Sequence, residues 1–104
     1  MKIVHVQYKT TAAFAAVNQQ NIRNIVQELA TLAHPGIQYS AWLLPDGQTF
    51  IHFDQFEDEA AHLALQALPS FKKFDEALWA SKLEEAPVLH LLSKVAANGS
   101  MAIR

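Results

Sequence analysis

Cysteine is absent from the 104 residues, which removes disulfides, thiolate nucleophiles and sulfur-ligated metals together. The expected compartment is then the cytoplasm by default. A basic excess is lacking too. Eight Lys and Arg stand against ten Asp and Glu, giving a formal net charge of -2, so no basic stripe can track a phosphate backbone and nucleic acid is not an expected partner. No apolar run is long enough for a membrane span, and Met1 to Lys9 alternates apolar with polar residues, unlike a signal peptide. No membrane partner is expected. Three glycines and four prolines are few, so each one marks a boundary worth reading.

What is present suits one compact domain over residues 1–97, with 98–104, opening Asn98-Gly99-Ser100, as a flexible tail. Ile3 to Tyr8 is rich in β-branched and aromatic residues, which predicts a strand over 2–9. Ile22, Ile25, Val26, Leu29 and Leu32 recur at the spacing of one helical face. That predicts a helix over 19–33, capped by Asn18 or extended backward through the Ala-rich stretch from Thr11. His34-Pro35-Gly36 stops it, with glycine accepting the left-handed turn. Ile37 to Leu44 and Gln48 to Phe56 flank the turn residues Pro45-Asp46-Gly47 and form a hairpin. Glu57-Asp58-Glu59 opens a helix that Pro69 ends or kinks, Ser70 caps a further helical stretch running to about Glu85, and Val88 to Ala96 is a last strand.

Strand, helix, strand, strand, helix, strand, with right-handed crossovers, is an α+β fold of ferredoxin-like topology: a four-stranded antiparallel sheet with its helices on one face. Strand alternation divides the sheet residues into two sets. Val4, Val6, Tyr8, Ile37, Tyr39, Ala41, Leu43, Ile51, Phe53, Leu89 and Leu91 are nearly all apolar and are expected beneath the helices. Ile3, His5, Gln7, Gln38, Ser40, Trp42, Leu44, Phe50, His52, Asp54, Phe56, His90, Leu92 and Lys94 are then expected on the open face. An open patch holding Trp42, Phe50, Phe56 and Leu92 exceeds what a monomer usually exposes. A second copy is the economical cover, so a homodimer enclosing a pocket for a small aromatic or apolar molecule is expected.

On that assignment His5, His52 and His90 stand on adjacent strands of one face. Two chemistries fit such a cluster. His52, with Asp54 two residues on, would act as general base with its tautomer held by the carboxylate, His5 assisting. Trp42 would be a flat wall for an aromatic substrate, with His90, Gln7, Ser40 and Phe50 lining the pocket and Trp79 closing its mouth. Alternatively, three neutral imidazoles would bind a divalent metal with one position open, but no close-spaced ligand motif supports this. No metal and no cofactor are expected. The bland reading makes each histidine a half-buried strand residue bonded to water or to the partner.

The chain also resembles the dimeric α+β barrel proteins, in particular the antibiotic biosynthesis monooxygenases, over about residues 2–96. The resemblance rests on His34-Pro35-Gly36-Ile37-Gln38-Tyr39, on the acidic-start helix Glu57 to His62, and on Leu68-Pro69-Ser70-Phe71-Lys72-Lys73-Phe74. It implies a homodimer with ligand pockets and, in some members, oxygenation of aromatic substrates without metal or flavin. There the substrate anion supplies the electrons and the protein a base and a dry cavity. Haem-degrading relatives carry an asparagine on the first strand and a histidine in the second helical region. Here the first strand holds His5 and Gln7, residues 70–85 hold no histidine, and Asp54-Gln55-Phe56 replaces the glutamate-x-tryptophan often ending the third strand.

Overall fold

The structure, a computed structural model, describes residues 1–99. Strand β1 (Lys2–Lys9) leads into helix α1 (Ala12–Leu32), strands β2 (Ile37–Leu43) and β3 (Thr49–Phe56), helices α2 (Glu59–Gln66) and α3 (Pro69–Ala80), and strand β4 (Glu85–Leu92). The sheet order is β2-β3-β1-β4, with every neighbouring pair antiparallel. The α+β, ferredoxin-like expectation is met. Most of the expected tail, residues 100–104, lies outside the described residues.

Helix α1 takes the longer of its two expected forms, because Thr11 is the cap. Its Oγ1 accepts from the Phe14 amide at 3.2 Å, and the alanines that follow favour helix. Asn18 consequently lies in the helix interior and is fully buried. The left-handed residue ending α1 is Ala33 (φ 51), not Gly36. Gly36 serves a close approach instead, since a Cβ there would meet the Glu57 carboxylate at 2.8 Å. A Cβ in the left-handed region costs roughly 1–2 kcal/mol, partly offset by the greater unfolded-state freedom of glycine. Ala33→Gly is therefore expected to stabilise the fold by up to about 1 kcal/mol, read as a raised urea midpoint at unchanged slope.

Pro69 separates α2 from α3 and occupies the first turn of the latter, where its missing amide hydrogen costs nothing. Ser70 is not the cap. Its backbone amide donates to Glu28 Oε1 at 2.9 Å, so α1 satisfies the start of α3 from outside. Helix α3 stops at Ala80, and β4 begins at Glu85 rather than Val88, because Glu84 N donates to Lys9 O at 2.9 Å and Glu85 pairs with Lys9.

The core lies between sheet and helices and joins Val4, Tyr8, Phe50 and Phe56 to Ile22 and Ile25 of α1, Ala61 and Leu65 of α2, and Phe74 and Leu78 of α3. This corrects the expected faces of β3. Leu43 pairs with Phe50, Ala41 with His52, Tyr39 with Asp54 and Ile37 with Phe56. Phe50, His52, Asp54 and Phe56 therefore stand beneath the helices, while Ile51 and Phe53 share the other face with Trp42, Ser40 and His5. The connection decides this. Leu44 N donates to Thr49 O at 2.9 Å, leaving a four-residue turn that pairs odd-numbered residues of β2 with even-numbered residues of β3, and a one-residue slip moves a whole strand to the opposite face. Asp46 holds the turn by accepting from the amides of Gln48 and Thr49 and from Thr49 Oγ1, bonds that pull its pKa down to about 2. The other three strands face as expected. Edge strand β4 is less covered than its sequence suggests, for Leu89 and Leu91 point toward the helical side yet remain exposed.

Candidate active site between sheet and helices

Because β3 is turned over, the three histidines divide. His5 and His90 pair directly across β1 and β4 on the open face, with ring centroids 6.2 Å apart. His52 is on the opposite face beneath the helices, which removes the three-imidazole metal alternative. Among the described residues no group of three or more His, Asp or Glu could hold a metal ion.

The helix side contains a cavity of about 220 Å³. Its floor is the sheet, with Val4, Val6, Tyr8, Tyr39, His52, Asp54 and Leu89, and its roof is α2 and α3, with His62, Leu65, Phe71, Phe74 and Leu78. Trp79, largely exposed, stands at the rim. Phe74 packs against His52 at 5.4 Å between centroids and against Phe71 at 5.9 Å. The lining is thus mostly apolar and aromatic, with a few polar groups set into it, as in small-molecule sites generally.

His52 does not meet Asp54 as expected. Its Nε2 lies 2.7 Å from the Tyr8 hydroxyl and its Nδ1 lies 3.0 Å from the Tyr39 hydroxyl. Tyr8 in turn accepts from Asn18 Nδ2 at 2.8 Å, so a chain of four polar side chains runs from α1 across β1 and β3 to β2. Burial pushes the His52 imidazole down to about 4, which leaves it neutral at pH 7. Burial also raises the Tyr8 phenol, against a smaller opposing effect from the Asn18 hydrogen bond. The Tyr39 phenol is raised by burial first, then by the nearby Asp54 and Tyr8.

Asp54 is the exception in this site. It is 8% exposed, its Oδ1 is buried without a hydrogen-bond partner, and burial lifts its carboxyl to about 8. A buried carboxylate without a donor is strongly disfavoured, so the group holds its proton to an unusually high pH. With both nitrogens of His52 already engaged, Asp54 is the group in this cavity poised to exchange a proton near neutrality.

The remaining expected site residues lie elsewhere. His5, Gln7 and His90 border a separate open-face cleft of about 290 Å³. Trp42 is on the same face, its Nε1 donating to Ser40 Oγ at 3.2 Å. Phe50 is in the core, stacked on Tyr8 at 5.6 Å. Tyr8, Tyr39, Asn18 and Phe74 were not singled out from sequence. A usable signal existed, since two tyrosines on an otherwise dry face must bring hydroxyls that need buried partners.

Solved structures share this architecture closely. A protein described as an antibiotic biosynthesis monooxygenase superposes with a TM-score of 0.76 over 92% of this chain and 100% of its own, at 17% identity. The chain has the fold of this protein. A candidate antibiotic biosynthesis monooxygenase of Deinococcus radiodurans gives 0.72 over 98% of this chain and 100% of its own, at 21% identity. One from Caulobacter crescentus gives 0.75 over 91% and 90%, at 18% identity. No protein-family model and no curated protein matches the sequence. At these identities the likeness is one of fold, and chemistry must be argued from the site.

Proposed function

We propose that the cavity binds a one- or two-ring hydroxyaromatic compound, and that Asp54 takes its proton so that the resulting anion reacts with dioxygen without a cofactor. The observation that carries this reading is that Asp54, whose buried Oδ1 has no hydrogen-bond partner, is part of the wall of an aromatic cavity. A phenolic hydroxyl supplies the donor that this oxygen lacks. The cavity is smaller than the roughly 300–1,000 Å³ of sites for drug-sized ligands, which favours small rings. Structural neighbours described as monooxygenases support the same reading.

In the proposed reaction the phenolic proton passes to Asp54, and the anion forms a carbon–oxygen bond to dioxygen at a ring carbon bearing hydrogen. The peroxide so formed takes the proton back. Loss of that carbon's hydrogen with cleavage of the O–O bond then gives a quinone carbonyl and one water, which balances one phenol and one dioxygen. Oxygen uptake with quinols, naphthols and the larger anthrones tests the reading. Stoichiometric uptake with quinone formation is expected, and no uptake with any of them would sink it.

The proposal includes a homodimer. Trp42, Val88 and Leu92 are exposed on the open face around half-buried Ile51 and Phe53, and a two-fold interface covers such a patch twice. Sedimentation is expected to give twice the chain mass. Phe53→Lys, at the centre of this face, should yield a folded monomer; a monomeric unmodified protein would refute the arrangement.

A further inference from the structure

The chain of three hydrogen bonds that links Asn18, Tyr8, His52 and Tyr39 has a direction that can be worked out from its buried ends. Asn18 Nδ2 donates to the Tyr8 oxygen. Tyr8 is 2% exposed, so if its oxygen also accepted from His52, its own hydrogen would be left buried without an acceptor. The Tyr8 hydroxyl therefore donates to His52 Nε2. A neutral imidazole carries one hydrogen, which then sits on Nδ1 and is donated to the Tyr39 oxygen. The Tyr39 hydrogen is left over. Among the described residues the Tyr39 hydroxyl has no partner other than His52, and Tyr39 lines the cavity beside its cross-strand neighbour Asp54. Turning the Asn18 amide over would leave both Nδ2 hydrogens buried without an acceptor, where the present orientation leaves one of them and the carbonyl oxygen; an orphaned buried donor is the rarer case, so the orientation is not arbitrary.

We infer that Asn18 sets the polarity of this chain so that the Tyr39 hydroxyl is presented to the cavity as a donor for a phenolate or enolate oxygen. Tyr39 is then a ligand-binding group, and Asn18 and His52 are positioning residues. This rests on the reading of the cavity given above, and it adds to it. Asp54, once it has taken the substrate's proton, becomes a second donor to the same oxygen. A tyrosine and a neutral carboxylic acid in an apolar site form a known type of oxyanion site, and the substrate class narrows to compounds whose acidic hydroxyl leaves a delocalised anion.

Two measurements test this. Long-range ¹H–¹⁵N correlation spectra of the full chain report which His52 nitrogen carries the hydrogen. Nδ1–H is expected in the wild type. In Asn18→Asp at about pH 9, where most buried carboxyls are ionised, the introduced carboxylate accepts from Tyr8, and the hydrogen is expected on Nε2. Nε2–H in the wild type would overturn the inference by itself, whether or not the variant folds. The second measurement titrates 4-nitrophenol, whose absorbance distinguishes phenol from anion, against wild type and Tyr39→Phe at about pH 7. The wild type should bind the anion, and Tyr39→Phe should bind it about tenfold more weakly or worse, the loss expected for one hydrogen bond to a charged oxygen. Equal affinity in the two proteins overturns the donor role of Tyr39 while the cavity's ligand class stands. No binding to a wild type that shows Nδ1–H overturns the ligand class and the donor role together.

Discussion

Asp54→Asn is expected to lower oxygen uptake with an accepted hydroxyaromatic by about 10²–10⁴-fold, with little change in the affinity for the neutral phenol. The asparagine side chain preserves the shape of the carboxyl and its ability to face the ligand hydroxyl, but it cannot take the proton. The pH profile should change with it. In the wild type the rate should rise with pH and level off near 8, where the carboxyl becomes ionised, because only the carboxylate is a base. The variant should show no such limb. A variant that keeps full turnover, or a wild-type rate independent of pH between about 6 and 9, would exclude Asp54 as the base. His52→Gln is a useful contrast, because an imidazole held near 4 and engaged at both nitrogens contributes position rather than basicity.

The same two groups give folding stability an unusual dependence on pH, the second large effect expected. His52 has its pKa lowered from 6.5 to about 4 by burial. Between those values the unfolded chain binds a proton that the folded chain does not, so this group makes stability rise with pH over that window. Asp54 has its pKa raised from 3.8 to about 8. Between those values the folded chain holds the extra proton, so this group makes stability fall as pH rises. From about 4 to 6.5 the two contributions oppose and nearly cancel, apart from a small rise just below 6.5 from His62, whose pKa is also lowered by burial. From about 6.5 to 8 Asp54 acts alone, and stability should fall by on the order of 2 kcal/mol. Urea melts across this range are the check. Asp54→Asn should abolish the fall and leave a rise that ends near 6.5. Wild-type stability that stays constant or rises from pH 6.5 to 8 would mean that the carboxyl is already ionised in the folded state.

Much of the fold was legible because its signals are local. The apolar spacing of Ile22, Ile25 and Leu29, the turn residues Pro45-Asp46-Gly47 and the breaker Pro69 act over a few residues, and the elements they predict are present. Element ends were less legible where the deciding partner is remote. Glu28 satisfies the start of α3, and Lys9 draws β4 back to Glu85, neither of which is visible in the segments themselves. The faces of β1, β2 and β4 followed from alternation. Strand β3 did not, because Phe50, His52, Asp54 and Phe56 on one parity and Ile51 and Phe53 on the other offer apolar residues to both sides.

What the amino-acid sequence determined by itself was the order of elements, hence the antiparallel sheet with helices on one face. Only the tertiary structure decided which way β3 faces, and with it whether His52 and Asp54 join His5 and His90 or Tyr8 and Tyr39. The reason is that facing is set by the length of one turn and by packing against helices far along the chain. A single-residue change of register exchanges every neighbour of a side chain while leaving the local pattern almost as good.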